Sequence, residues 1–366
     1  LTGDKLKNHQ SGMQKNKCTR YLESVNAVMA AKNKGGFCIG VAFNPFKYAE
    51  AERDAQYFKL HKKLKAGADF IITQLGYDLD ALKQAQLFLN EHQYGQSMLA
   101  CIMPLSLARA KYMVKHQVAG VVITQHMLDV LEQEKQNGET NNIYRRCALQ
   151  MLICQHLGFG GRHLSACYKP EDQMRLAKYI EEYRELSLLE CESLWNESWQ
   201  IKTGKELRPV VEKNSMSVTS RQLLKYRNLK LMHDALFQFS VARGIGRLIF
   251  KAEFWNNTFT SKALLKAEFM TKYGVVGCES CGLCRLADTL YICPETCPKG
   301  LANGPCGGTT LDRCEFGDRE CIHSVKARLA KAVNRTDTLK NKLIPSVPIE
   351  VRGTSSWKNW YLAKEA

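Results

Sequence analysis

The residues whose type and spacing best suit chemistry are cysteines, and eight of the fifteen fall within the 44 residues from Cys278 to Cys321. The segment reads C-E-S-C-G-L-C, then Y-I-C-P-E-T-C-P-K-G-L-A-N-G-P-C-G-G-T, then D-R-C-E-F-G-D-R-E-C. Its thiols are Cys278, Cys281, Cys284, Cys293, Cys297, Cys306, Cys314 and Cys321. Thiolates two residues apart in a turn converge on one point. Interspersed glycines let the backbone bend around an inorganic centre, and Pro294, Pro298 and Pro305 fix the exits. Cys278-x2-Cys281-x2-Cys284 followed by Cys293-Pro294 and Cys297-Pro298 is a partial match, with a longer final spacing, to the run that holds cubane iron–sulfur clusters. Eight thiols suit two four-thiolate sites, either two clusters or one cluster and one Zn(Cys)4. The plainer alternatives are a disulfide framework and a zinc site that only holds the fold. Cys18, Cys38, Cys101, Cys147, Cys154, Cys167 and Cys191 are scattered singly through apolar segments, as reduced core thiols are, which weighs against disulfides.

Length and composition bound the rest. A chain of 366 residues with 45% hydrophobic side chains can build two ordinary domains with real cores. No run approaches the roughly 18 apolar residues of a membrane span. The formal charge is +16. Each four-thiolate centre would contribute about −2, leaving roughly +12 if both form. Such a field favours acidic partners. Nucleic acid is not expected among them, because the lysines are spread along most of the chain and no helix-turn-helix, RNP-like strand or C2H2 pattern occurs. The basic surface reads as solvated, or as a docking face for an acidic redox protein or a polyanionic substrate. The opening Leu1-Thr2-Gly3-Asp4 is not a secretory leader, so a reducing, cytoplasmic compartment is expected. It reads as the end of a strand, with more of the protein expected upstream.

Elements that could position such residues alternate along the first half. Phe37–Phe43, Asp69–Thr73, Ser97–Met103 and Arg162–Cys167 are short apolar runs suited to strands buried on both faces. Amphipathic stretches at Ala49–Ala66, Ala81–His92 and Leu107–Gln117 suit crossover helices, giving β/α architecture. Val118–Thr124 could be a strand or an extended approach to a helix at His126–Gln136. The runs exit in Asn44-Pro45, Gln74, and Pro104 with Ser106, and such C-terminal strand ends form the active face of a (β/α)8 barrel. On pattern alone Asn44 and Gln74 read first as ordinary strand-exit residues. A helical pattern from Glu171 to about Trp199 precedes a polar linker. Arg221–Phe239 and Lys262–Lys272 then read as helices, the first with a core stripe of Leu223, Leu224, Leu229, Leu231, Leu236 and Phe237. His233-Asp234 lies inside that helix and suits a core or capping role. Ser324–Val333 reads as a basic helix, and Gly353–Trp357 as a segment docking back onto its domain. The expected domains are 1–200, a linker at 201–217, and a cysteine-rich domain at 218–366.

Gly36–Gly40 with Val41-Ala42-Phe43-Asn44-Pro45, then Lys62-Lys63-Leu64-Lys65-Ala66-Gly67-Ala68-Asp69-Phe70-Ile71-Ile72-Thr73-Gln74, resembles the second half of the methylenetetrahydrofolate reductase barrel. Leu1-Thr2-Gly3-Asp4 resembles the same family's strand-end motif. The cysteine segment with N-G-P-C-G-G at Asn303–Gly308, and G-T-S-S-W at Gly353–Trp357, resembles the C-terminal domain associated with some members. The resemblance implies an α/β fold, a partial (β/α)8 TIM-type barrel followed by a mainly helical, cysteine-rich metal-binding domain. It implies a flavin, FAD or alternatively FMN, and a folate substrate. Asp4 matches the carboxylate beside the flavin that helps position folate, and Gln74 the folate-contacting glutamine. Thr2, Gly3 and Ala42 fall where backbone groups line the flavin, and Lys62 and Lys63 match a basic pair near its phosphates. Lysines of a lysine-rich helix are otherwise usually solvated. The family's catalytic glutamate would lie upstream, so the chain is expected to be a fragment or to pair in an oligomer or hetero-complex. The implied activity is reduction of methylenetetrahydrofolate to methyltetrahydrofolate, an oxidoreductase acting on a CH–NH group. Electrons would come from a ferredoxin-like donor or NAD(P)H, through a [4Fe–4S] cluster or past a structural Zn site. The alternative is a non-catalytic, metal-binding partner subunit carrying an incomplete barrel.

Overall fold

The computed structural model describes residues 22–211 and 216–363, so Thr2, Gly3, Asp4 and Cys18 lie outside the described residues. Four strands, β1 (Gly40–Phe43), β2 (Phe70–Thr73), β3 (Ser97–Ile102) and β4 (Gly161–Leu164), form one parallel sheet in chain order. Gly40 pairs with Phe70 and Phe43 with Thr73. Helix α1 (Ser24–Lys34) precedes β1, α2 (Glu50–Lys65) joins β1 to β2, and α3 (Leu79–Glu91) joins β2 to β3. Three helices, α4 (Leu107–Lys115), α5 (Gln125–Gln136) and α6 (Asn142–His156), lie between β3 and β4. After β4 come α7 (Pro170–Tyr183) and α8 (Leu188–Ser198). This is an α/β fold with the order of a partial (β/α)8 barrel, because parallel neighbours need a helical crossover to return the chain.

The first three apolar runs fold as strands whose alternate residues enter one core, but the expected burial on both faces is corrected, and β4 exposes Arg162 and His163 and only half-buries Gly161 and Leu164. Val41, Phe43, Ile71, Met98, Ala100 and Ile102 pack with Leu60, Leu64, Leu82 and Leu149, while Ala42, Ile72 and Leu99 on the opposite face are half-buried. Val118–Thr124 pairs with no strand among the described residues. It turns at Gly120 (φ +73°) and reaches α5 through Thr124, whose Oγ1 accepts from the Met127 amide at 3.3 Å. The helical pattern over 171–199 is broken between α7 and α8 by Ser187. Its hydroxyl and the Glu190 carboxylate exchange hydrogen bonds with each other's backbone amides. Residues 201–211 run back over the barrel, with Leu207 buried and Arg208 2.8 Å from Asp78.

The second half contains α9 (Ser220–His233), a wide turn at Asp234–Gln238, α10 (Ser240–Lys251) and α11 (Thr258–Val276). Beyond the cysteine segment lie α12 (Ile322–Ala332), α13 (Thr336–Asn341) and α14 (Ser356–Leu362). The expected core stripe of α9 is corrected by the structure. Leu224, Leu231 and Leu236 are exposed, and the helix packs through Tyr226, edge-on to Tyr291 with Leu223 and Leu229 beside it. Nothing among the described residues covers the outer face. Helices α12 and α13 lie along α2, so the cysteine-rich half rests directly on the barrel. No helix among the described residues is long and apolar enough to cross a membrane.

Candidate functional site

The C-terminal ends of β1 and β2 carry Asn44 and Gln74. Asn44 is buried; its Nδ2 donates to the Gly120 and Gly307 carbonyls at 3.0 and 2.9 Å, and its Oδ1 accepts from the Phe46 amide. Gln74 is half-buried, donating to the Ala119 carbonyl at 3.1 Å and accepting from the Leu75 amide at 2.9 Å. Beside these strand ends is a cleft of about 430 Å³ lined by Pro45, Lys47, Tyr48, Asp78, Asp80 and Arg208, large enough for a small ligand. Burial, reinforced by the Asp78 carboxylate, raises the Tyr48 phenol well above its usual range. Sequence reasoning did not single out Asp78, Tyr48 or Arg208. The only signal was an acidic residue four positions after Gln74, and Arg208 arrives from far along the chain.

Lysines 62 and 63 are enclosed. The Lys63 ammonium donates to the Ala42 carbonyl at 2.6 Å, and burial lowers it to about 7. Lys62 is fully buried with no hydrogen-bond partner at Nζ; burial, with Lys326 and Lys59 nearby, lowers it to about 7 against the pull of Glu23. A diphosphate would have to displace the Ala42 carbonyl to reach Lys63 and part α2 from α12 to reach Lys62. These lysines are buried because α2 is sandwiched between the sheet and α12, a context its lysine-rich sequence does not advertise.

The same helix grips the cysteine segment by its main chain. Lys59 Nζ donates to the Gly304 and Pro305 carbonyls at 3.1 and 2.9 Å, and Gln56 to the Cys306 carbonyl at 2.7 Å. Lys47, just past β1, donates to the Gly307 carbonyl at 2.9 Å and also to that of Thr309. Gly120 makes close approach possible, since a Cβ there would overlap the Gly307 oxygen. Glu23 accepts from the Ala302 and Asn303 amides at 2.9 and 3.0 Å and lies 3.4 Å from Lys59. Burial alone would raise its carboxyl, but Lys59 and these donors hold it low. Asn303 completes the knot by exchanging two hydrogen bonds with the backbone of Ile344 at 2.8 Å.

All eight clustered cysteines are free thiols. Cys278, Cys281, Cys284 and Cys293 line one small cavity with Glu268, Lys272 and Glu295. Gly277 (φ +65°) ends α11 immediately before Cys278, and Ser280 and Gly282 (φ +51° and +79°) bend the loop between the thiols. A Cβ on Gly282 would overlap the Val351 carbonyl oxygen. The tail closes over this loop as expected for Gly353–Trp357. Gly353 donates to the Ser280 carbonyl, Asn359 to the Gly282 carbonyl, and Ser355 to Glu268 at 2.7 Å. Lys272 pairs with Glu268 at 2.7 Å and stands over the Trp357 ring. Burial pushes Cys281 up to about 11 and Cys293 up to about 12.

Cys297, Cys306, Cys314 and Cys321 lie in the adjoining loops. Backbone bridges from Arg313 to Thr310 and Glu320 fold this stretch back on itself, while the Cys321 amide donates to the Asp312 carbonyl at 2.7 Å. The Cys306 thiol is 3.3 Å from Glu315, which pairs with Lys299. Burial pushes Cys321 up to about 12. Among the described residues, no group of three metal-binding side chains is drawn tightly enough to hold an ion. The surroundings nonetheless suit anionic metal–thiolate centres. Lys326 of α12 is buried near Cys297 and Cys293 with no hydrogen-bond partner at Nζ, a cation that such a charge could meet.

The family models match both halves of this arrangement. Residues 1–166 match methylenetetrahydrofolate reductase, and residues 257–349 match methylene-tetrahydrofolate reductase C terminal. Residues 1–166 thus belong to the methylenetetrahydrofolate reductase family and are fused to that family's C-terminal domain at residues 257–349. No curated protein matches the chain. The first match holds Asn44, Lys47, Gln56 and Lys59, and the second holds the carbonyls they grip. The contact therefore joins the reductase segment to the C-terminal domain. Residues 167–256, with α7 to α10, lie between the two matches.

Proposed function

We propose that the chain acts in flavin-dependent reduction of methylenetetrahydrofolate to methyltetrahydrofolate, with the cysteine-rich domain carrying electrons or stapling the fold by metal. The observation that carries the reading is Gln74 at the end of β2, within the residues that match the reductase family, on the face where Pro45 and Asp78, but not Gln74 itself, line an open cleft. Gln74 would orient the pterin by hydrogen bonding, and Asp4 would position the folate and tune the cofactor. The flavin, when bound, supplies the hydride that turns the methylene carbon into a methyl group. Thr2, Gly3 and Ala42 would line it through backbone groups. Lys62 and Lys63 are enclosed, Lys63 on the Ala42 carbonyl and Lys62 without a hydrogen-bond partner at Nζ, which disfavours a phosphate site there. The domains would span 1–200 and 218–366 with a linker at 201–217. Cys284 is exposed, which suits electron entry from an acidic, ferredoxin-like donor steered by the positive field.

A second reading is a non-catalytic, metal-binding partner subunit. It is favoured by the use of Asn44 and Lys47, at the end of β1, to grip the C-terminal domain. One inventory separates the two: flavin, iron, sulfide and zinc quantified together on anaerobically purified protein. Bound flavin with iron and sulfide near about four per chain supports the reductase reading. Zinc alone, without flavin, removes electron transfer and leaves the partner subunit.

A further inference from the structure

We propose that the outward face of α10, with the turn that leads from it into α11, is a docking surface for an anionic phospholipid bilayer. Val241, Ile245, Leu248 and Ile249 recur at helical spacing on one side of α10, and all four are exposed. A different side holds this helix to its domain. Gly246 is buried so closely against Tyr361 that a Cβ there would come within 2.2 Å of the ring, and Phe250 stacks on the same ring at 5.4 Å. The orientation of α10 is therefore fixed, and the side turned to solvent is a contiguous apolar one, which marks an interaction site. The ridge continues past the helix end. Leu248 is 76% exposed, Phe254 in the turn 63%, and Phe259 in the first turn of α11 80%. Val241 to Phe254 lie between the two family matches.

Charge decides what fits there. From Ser240 to Val276 the chain carries Arg243, Arg247, Lys251, Lys262, Lys266 and Lys272 against Glu253 and Glu268. Glu268 is buried under the tail and paired with Lys272, so the surface that remains is positive. Lys251 ends α10, and Lys262 and Lys266 follow Phe259 on one face of α11; all three are exposed. A second copy of this chain would bring the same sign of charge onto the same face. Residues 1–21 would do likewise, with Lys5, Lys7, Lys15, Lys17 and Arg20 against Asp4. The occupant must be anionic. Leu248 and Phe259 are too exposed to line a groove for a partner's helix; they project, which suits insertion at the acyl boundary of a bilayer. There the lysine ammonium groups stay level with the lipid phosphates while their stems lie along the apolar layer. Such a surface lies on a membrane without spanning it, and no helix among the described residues is long and apolar enough to span one.

The test is sedimentation of the full chain with vesicles of phosphatidylcholine, alone or with phosphatidylglycerol at about one third of the lipid. The parent should partition into the anionic vesicles about ten-fold more strongly than into the neutral ones, and raising the salt to about 0.5 M should remove most of the difference. Leu248→Gln with Phe259→Gln keeps every charge and exchanges only exposed side chains. Its melting should match the parent's while anionic partition falls about ten-fold or more. Lys251→Gln with Lys262→Gln should also weaken partition and make its salt dependence shallower. No partition of the parent into anionic vesicles would overturn the proposal. Partition that survives Leu248→Gln with Phe259→Gln would overturn it too, because that is adhesion by the rest of the basic surface. Two results would give the face to another occupant and equally overturn the lipid surface: a dimer that the same variant dissolves, without vesicle binding, or binding to polyglutamate that the variant weakens, without vesicle binding.

Discussion

Glu23→Gln is the sharpest probe of how the two domains are held together. The carboxylate and the Lys59 ammonium are 3.4 Å apart with side chains only 7% and 5% exposed. At an effective dielectric of about 20, their attraction is roughly 5 kcal/mol before desolvation is subtracted. The glutamine keeps the shape but leaves Lys59 buried with less counter-charge, and it turns one acceptor oxygen into a donor facing the Ala302 and Asn303 amides. Removing one partner of a buried pair costs about 3 to 5 kcal/mol. With a urea slope of about 2 kcal/mol per M, the unfolding midpoint should fall by about 1.5 to 2.5 M. Tryptophan fluorescence can follow both halves, since Trp195 and Trp199 sit in the barrel core and Trp357 and Trp360 near the tail. The effect also has a pH signature. The Glu23 carboxyl is held below its unfolded value of 4.5, so its contribution is present above that pH and lost as pH falls through the folded value. Parent and variant should therefore converge in acid. A midpoint shift below about 0.3 M at pH 7, or a gap that persists undiminished through acid, would refute the reasoning.

Three further outcomes are expected. Lys62→Met should stabilise the protein by a few kcal/mol at pH 6, with about 4 to 5 kcal/mol as the upper bound from the lowered ammonium. Because the unfolded lysine holds its proton up to about 10.4, the penalty is full below pH 7 and relieved as pH rises to about 10, so the gain should vanish there; a gain independent of pH would contradict this. Gly282→Ala forces an L-residue into a left-handed turn against Val351 and should cost at least about 2 kcal/mol, exposing Lys358 to trypsin; unchanged proteolysis and melting would count against the tail's closing role. Gln74→Ala should lower kcat/KM for methylenetetrahydrofolate about ten-fold or more while costing about 1 to 3 kcal/mol of stability for its two lost hydrogen bonds; unchanged kinetics would remove Gln74 from the substrate site.

The first three strands were readable because each is an apolar run whose alternate residues enter one core, and Asn44 and Gln74 because they follow such runs directly. The break before α8 was also present, as Ser187 and Glu190 at capping-box spacing inside an otherwise helical pattern. The role of α2 was not readable. Its lysines look solvated until α12 covers them, and the acceptors of Lys59 are backbone carbonyls some 245 residues away, with no side-chain signature. The outward-facing leucines of α9 were misread for a related reason. A helical stripe shows which residues share a face, but not whether another element lies against it.

The grip of α2 and of the β1 exit on residues 304–309 is made almost wholly through main-chain oxygens. Recognition of that kind follows the path of the chain and ignores most of its side chains. Gly307, whose Cβ position is open, should accept substitution, whereas Gly304, where a Cβ would come within 2.6 Å of the Lys59 side chain, should not. A single inserted or deleted residue would be far worse than either. It would move each carbonyl past its donor at once, so this loop should drift in composition while its length stays fixed.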